Sequence, residues 1–235
     1  MADRRYAASD VGAGVRERSV LKNVYIWMTL GLAITGVTAL YISTNLNLVR
    51  ALVGNPILFF GLIIGQLALV FTLSARIMAL QASTATLIFA AYSVLNGVTL
   101  SLIFLAYTGE SIFLAFFVAG GMFAGMSLFA VTTKMDLSGL GHYLRMALIG
   151  LIVAMLVNFF LRSPGFDWLI SIAGVALFAG LTAYDTQIIR RWSREMTDTS
   201  DEATYMKISI LGALKLYLDF INLFLFLLRL LGRRR

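Results

Sequence analysis

Residues 208–231 read Ile-Ser-Ile-Leu-Gly-Ala-Leu-Lys-Leu-Tyr-Leu-Asp-Phe-Ile-Asn-Leu-Phe-Leu-Phe-Leu-Leu-Arg-Leu-Leu. About 20 helical residues cross the roughly 30 Å hydrocarbon core of a bilayer, so this stretch is long enough to span one. Lys215 and Asp219 lie inside it, four residues apart and therefore on one helix face. Working back along the chain, Asn23–Val49, Ala51–Ala75, Ile77–Gly109 and Ser111–Thr133 carry no charge. Met146–Leu161 is a shorter apolar run whose helix starts as early as Tyr143, and Trp168–Tyr184 continues past Asp185 to Ile189. Seven spans are expected.

Composition requires lipid. Of 235 residues, 60% are hydrophobic and 13% charged, against roughly 45–50% and about 25% in soluble domains. With no cysteine there is no disulfide framework, thiolate metal site or cysteine nucleophile, and the single histidine, His142, leaves little room for imidazole chemistry. The net charge of +7 sits mainly between apolar runs, which suits anionic headgroups rather than nucleic acid. The fold class expected is an all-α integral membrane protein. It has a polar, mobile cytoplasmic N-terminal arm, residues 1–21, and one seven-helix transmembrane domain, residues 22–235. Met1–Arg18 does not read as a cleaved signal, because the apolar run that follows is too long.

Basic residues set the orientation. With the N-terminus inside, the inner segments hold Arg4, Arg5, Arg16, Arg18, Lys22, Arg76, Lys134, Arg145, Arg190, Arg191, Arg194 and Lys207, while the outer loops hold Arg50 and Arg162. Seven crossings leave Arg233, Arg234 and Arg235 outside, against the same rule, but the length of 208–231 favours a full crossing. Gly121 and Gly125 form a small-xxx-small pair and are read as a helix-packing surface.

Asp185 and Asp219 are the functional candidates. An ionisable residue in a span costs about 2.5–3.5 kcal/mol on insertion scales, so its presence needs a reason. Two carboxylates at similar depth would share a proton and act as a proton-sensitive switch. Ionised, they would attract a hard divalent cation such as Ca²⁺, in competition with the proton. Arg76, ending the second span, is a gate candidate, or a headgroup anchor that snorkels. Lys215–Asp219 has a blander alternative as an intrahelical ion pair. Glu110, Asp136 and Asp167 are read as solvated loop charges, and His142 as an interfacial histidine.

At these residues the chain resembles the Bax inhibitor-1 family of transmembrane Bax-inhibitor-motif proteins, on its bacterial, YccA-like side. The resemblance rests on Leu216–Gly232 and on Thr182-Ala-Tyr-Asp-Thr-Gln-Ile-Ile189, with weaker matches at Asn96–Ser101 and Lys134–Ser138. It implies seven helices with the last one central and wrapped by the other six. It also implies a pH-sensitive calcium leak channel with an aspartate pair as proton sensor and calcium site, which map to Asp185 and Asp219. Arg76 is similar to the family's latch arginine. Lipid and calcium ions are the implied partners, with a membrane protease as a further one; no cofactor and no enzymatic activity are implied. Two alternatives stand beside the leak. One is a presenilin-like intramembrane aspartyl protease, suggested by Tyr184-Asp185, although Leu216–Asp219 lacks the glycines that open the backbone at such a site. The other is a regulatory membrane protein acting through the N-terminal arm.

Overall fold

The computed structural model describes residues 2–196 and 201–233, with side chains described from Ser19 onward except at position 46. Arg234 and Arg235 of the basic tail, and the arginine side chains of the N-terminal arm, lie outside this description. Among the described residues the chain is helical, with no β-strand: α1 (Ala2–Thr44), α2 (Leu46–Gly54), α3 (Pro56–Arg76), α4 (Ala82–Leu100), α5 (Ile103–Ala106), α6 (Gly109–Thr132), α7 (Leu140–Leu161), α8 (Pro164–Glu195) and α9 (Glu202–Leu231). Seven segments are long and apolar enough to cross a membrane: Ser19–Thr44 of α1, α3, α4 with α5, α6, α7, α8 and α9. The backbone of the arm is helical and runs into the first span.

The first two spans differ from their charge-free runs. Asn45 accepts hydrogen bonds from the amides of Asn47 and Leu48, and Asn55 accepts one from Leu58 with Pro56 following it. Side-chain caps satisfy amides that have no partner within the helix, and proline fits a first turn. The expected runs Asn23–Val49 and Ala51–Ala75 are therefore broken at Asn45 and Asn55, and α2 forms between them. Absence of charge marks lipid compatibility, not helix ends. At the far end of α7, Arg162 closes the helix in the left-handed region (φ 51°), its amide donating to the Asn158 carbonyl at 2.7 Å.

Burial separates two kinds of span. The most apolar window of α9 is 72% buried within the protein, whereas those of α3 and α7 are 6% buried and so present apolar surface of the kind a bilayer accommodates. No break interrupts α9 between Glu202 and Leu231, so it has no turn at which a re-entrant segment could reverse.

The chain packs as two compact units. The first comprises Met1–Leu105 and Ile189–Tyr217. There α1 and α4 approach through glycine: a Cβ on Gly97 would lie 2.6 Å from the Thr35 carbonyl oxygen and from Thr38 Cβ. Above this contact, the buried Tyr217 hydroxyl lies 2.6 Å from Thr35 Oγ1 and accepts from Asn96 Nδ2 at 2.8 Å, while Thr35 Oγ1 donates to the Ser93 carbonyl at 2.9 Å. The Tyr217 ring packs edge-on against Phe89 and Tyr92.

The second unit comprises Ala106–Ile188 and Leu218–Arg235. Phe220 of α9 packs edge-on against Phe116 and Phe123 of α6. The buried face of α6 carries Ser111, Ala115, Ala119, Phe123 and Ser127 at every fourth residue. Gly121 and Gly125 do not belong to it: both are exposed, and a Cβ on either would meet nothing within 4 Å. The expected glycine packing pair is thus not a packing surface within this chain. The small residues that are buried in this row are Ser111, Ala115, Ala119 and Ser127, because the buried face, rather than spacing alone, decides which small residues count.

Candidate functional site

Both aspartates singled out in the sequence lie in the second unit and are buried, Asp185 on α8 at 6% exposure and Asp219 on α9 at 4%. Hydroxyls accompany them on α8, where Thr182 and Thr186 are fully buried. The Thr182 hydroxyl donates to the Phe178 carbonyl at 2.8 Å, and the Thr186 hydroxyl lies 3.4 Å from that of Ser127.

Three contacts fix how α8 and α9 pass each other in this unit. Asp167 meets Arg229, Gly174 lies beneath the Phe226 ring, and Phe178 stacks on that ring with centroids 5.8 Å apart and planes at 25°. Numbers rise on α8 as they fall on α9, so the helices are antiparallel. Phe178 precedes Asp185 by seven residues, and Phe226 follows Asp219 by seven. Seven helical residues make nearly two turns and about 10 Å. Each aspartate therefore shares a helix face with the phenylalanine of its own helix. Both stand about 10 Å from the stacked ring pair, in the same direction.

Other expectations fare differently. Asp167 is not a solvated loop charge but sits in the first turn of α8, its Oδ1 3.5 Å from Arg229 Nη1, with about a third of each side chain exposed (33% and 34%). Glu110 is exposed but sits in the first turn of α6 rather than in a loop, and Asp136 is exposed as expected, accepting from the Ser138 amide at 2.9 Å. His142 is exposed in the first turn of α7, edge-on to Tyr143. Arg76 is the last residue of α3 and is exposed, and it belongs to the first unit. Lys215 lies 6.0 Å from the Trp192 ring centre, at the limit of a cation–π contact. Two of the motifs that carried the resemblance meet: Gln187 accepts from the Leu137 amide at 2.6 Å and donates to the Met135 carbonyl at 2.8 Å. Among the described residues no cluster of three or more His, Cys, Asp or Glu could hold a metal ion.

Arg229, Phe178 and Phe226 went unremarked in the sequence. The signal for the phenylalanines was present, as a seven-residue step from each aspartate.

A model of the family described as inhibitor of apoptosis-promoting Bax1 (Bax1-I) matches residues 17–235. The chain belongs to the Bax inhibitor-1 family. It is 50% identical over 218 residues to inner membrane protein YbhL of Escherichia coli K12, covering 93% of each chain. It is 45% identical over 215 residues to an uncharacterized protein of Borreliella burgdorferi B31, covering 92% of each. A third relative, RP147 of Rickettsia prowazekii, is 41% identical over 222 residues, covering 93% of this chain and 91% of its own. The match includes both aspartate-bearing helices, so this multi-pass family member carries its two buried acids inside the matched region.

Proposed function

We propose that this family member is a proton-sensitive calcium leak, with Asp185 and Asp219 as the groups that bind the proton and the passing ion. The matched seven-residue steps from one stacked phenylalanine pair support this reading, because they are what two buried carboxylates at a similar level on α8 and α9 would require. Carboxylates so placed share one proton when neutral and repel when both are ionised. A calcium ion relieves that repulsion. Two carboxylates provide fewer than the six to eight oxygens that hold calcium tightly, so water and the nearby hydroxyls complete its shell. Weak, incomplete ligation suits passage rather than storage.

The protein then lies in an inner membrane, as the name of the YbhL relative says of that protein, with its N-terminus cytoplasmic by charge bias. Within each unit the residues of α9 lie in the buried interior, in keeping with the 72% buried window of that helix. Arg76, at the end of α3, serves as the latch at the cytoplasmic mouth. An intramembrane protease is disfavoured, since α9 stays helical through Asp219 and offers no opened backbone beside that carboxylate. Liposomes with a calcium dye inside test the proposal: influx should vary with pH between about 5 and 8. Absence of influx throughout that range would end it.

A further inference from the structure

Between the aspartates and the opposite end of the second unit, the buried face of α8 is lined mostly by small residues. Stepping from Asp185 toward Asp167, it carries Thr182, Phe178, Gly174 and Ser171. The hydroxyls of Thr182 and Ser171 donate to the carbonyls of Phe178 and Asp167, each at 2.8 Å. Their protons are committed to backbone, so their oxygens have only lone pairs to offer, the sign that suits a cation. Beyond Asp167 the face opens into a cavity of about 390 Å³ bordered by Tyr107, Asn158, Asp167 and Arg229.

What separates this cavity from the aspartates is aromatic. Cγ, Cδ1 and Cδ2 of Phe226 all lie 2.6 Å from where a Cβ on Gly174 would be, so the flat of the ring rests on the glycine. Phe178 stacks on the ring, and the Arg229 guanidinium lies 5.4 Å from its centre. Both phenylalanines are buried. A constriction walled by such rings excludes water and therefore a hydrated ion.

We propose that Phe226, seated on Gly174 and stacked on Phe178, is the hydrophobic seal between the Asp167–Arg229 cavity and the Asp185/Asp219 pair. This rests on the aspartates lining an ion path. The cation–π contact ties the ring to Arg229, whose other partner is Asp167. The seal opens when the ring leaves its glycine seat.

The test uses the full chain with Phe226→Ala, Phe226→Leu and Gly174→Ala, the last forcing the ring off by adding the Cβ for which there is no room. Phe226→Leu keeps apolar bulk if the alanine variant folds poorly. Calcium influx into dye-loaded liposomes should rise at least tenfold in Phe226→Ala and Gly174→Ala. A second readout is independent of the ion. The chain contains no cysteine, so Thr182→Cys supplies a single thiol beyond the seal. In nanodiscs, a charged methanethiosulfonate should label it slowly with Phe226 present and at least tenfold faster in Phe226→Ala. Fast labelling with Phe226 intact, or influx and labelling both unchanged in the Phe226 and Gly174 variants, overturns the seal. Faster labelling with no calcium influx in any variant leaves the seal standing and removes the calcium path instead.

Discussion

Tyr217→Phe deletes one oxygen from a buried hydrogen-bonded network of the first unit. Counting protons orders the hydrogen bonds around it. Thr35 has a single hydroxyl proton, which it gives to the Ser93 carbonyl at 2.9 Å. The 2.6 Å contact between Tyr217 and Thr35 must therefore run from the tyrosine to Thr35 Oγ1. Asn96 Nδ2 in turn donates to the tyrosine oxygen at 2.8 Å. The relay runs Asn96 to Tyr217 to Thr35 to Ser93, and each bond polarises the next. Without the tyrosine oxygen, Thr35 loses only an incoming donor, which costs little. The buried Asn96 amide loses its acceptor. An unsatisfied buried donor costs about 1–3 kcal/mol, although interhelical hydrogen bonds in membranes average about 0.6 and reach about 1.7 kcal/mol. The expected loss is about 1–1.5 kcal/mol, read from reversible unfolding of the full chain in mixed micelles. In an Asn96→Leu background the same change should cost at least about 0.5 kcal/mol less, because the orphaned donor is gone. A loss below about 0.3 kcal/mol, or the same loss in both backgrounds, would refute the relay.

Gly97→Ala should lower stability by about 1–3 kcal/mol, because its Cβ meets the Thr35 backbone and Thr38 with no flexible side chain to yield. Gly120→Ala meets nothing within 4 Å, so equal thermal midpoints for the two variants would contradict the packing described. Arg162→Gly should stabilise the chain by about 1 kcal/mol in the same unfolding assay, since a non-glycine residue there pays for its left-handed backbone; a loss of stability would count against that backbone. Asp201 is held below the ordinary carboxylate range by the Thr204 hydroxyl and then by the Thr204 amide, which donates to it at 2.9 Å. Its folded-state value is depressed, so its stabilising effect is full above the ordinary aspartate value of about 3.9 and fades as pH falls through the lowered one. In a carbon NMR titration Thr204→Val should move Asp201 upward; an unmoved midpoint would exclude the hydroxyl as the cause.

Seven spans were legible because charge-free runs longer than a bilayer is thick leave few other fates. Their ends were less so. Asn45 and Asn55 stop and restart helices through side-chain caps that look like any polar residue in an apolar run. Gly121 and Gly125 had the right spacing but the wrong face, which only the buried row from Ser111 to Ser127 reveals. Asp185 and Asp219 stood out because a charge in a span is costly. Tyr217 did not, since a tyrosine among leucines gives no hint of the relay it joins. Asp167 was misread for a related reason: its partner Arg229 lies on another helix, and one-dimensional spacing does not report pairs between helices.

Calcium influx measured against pH for the wild type, Asp185→Asn, Asp219→Asn and the double variant tests the aspartate pair most directly. If the two acids share one proton, either single change abolishes the pH response, and the second adds nothing to the first. Single variants that keep the wild-type pH profile, or that each remove an independent part of it, would contradict the shared site.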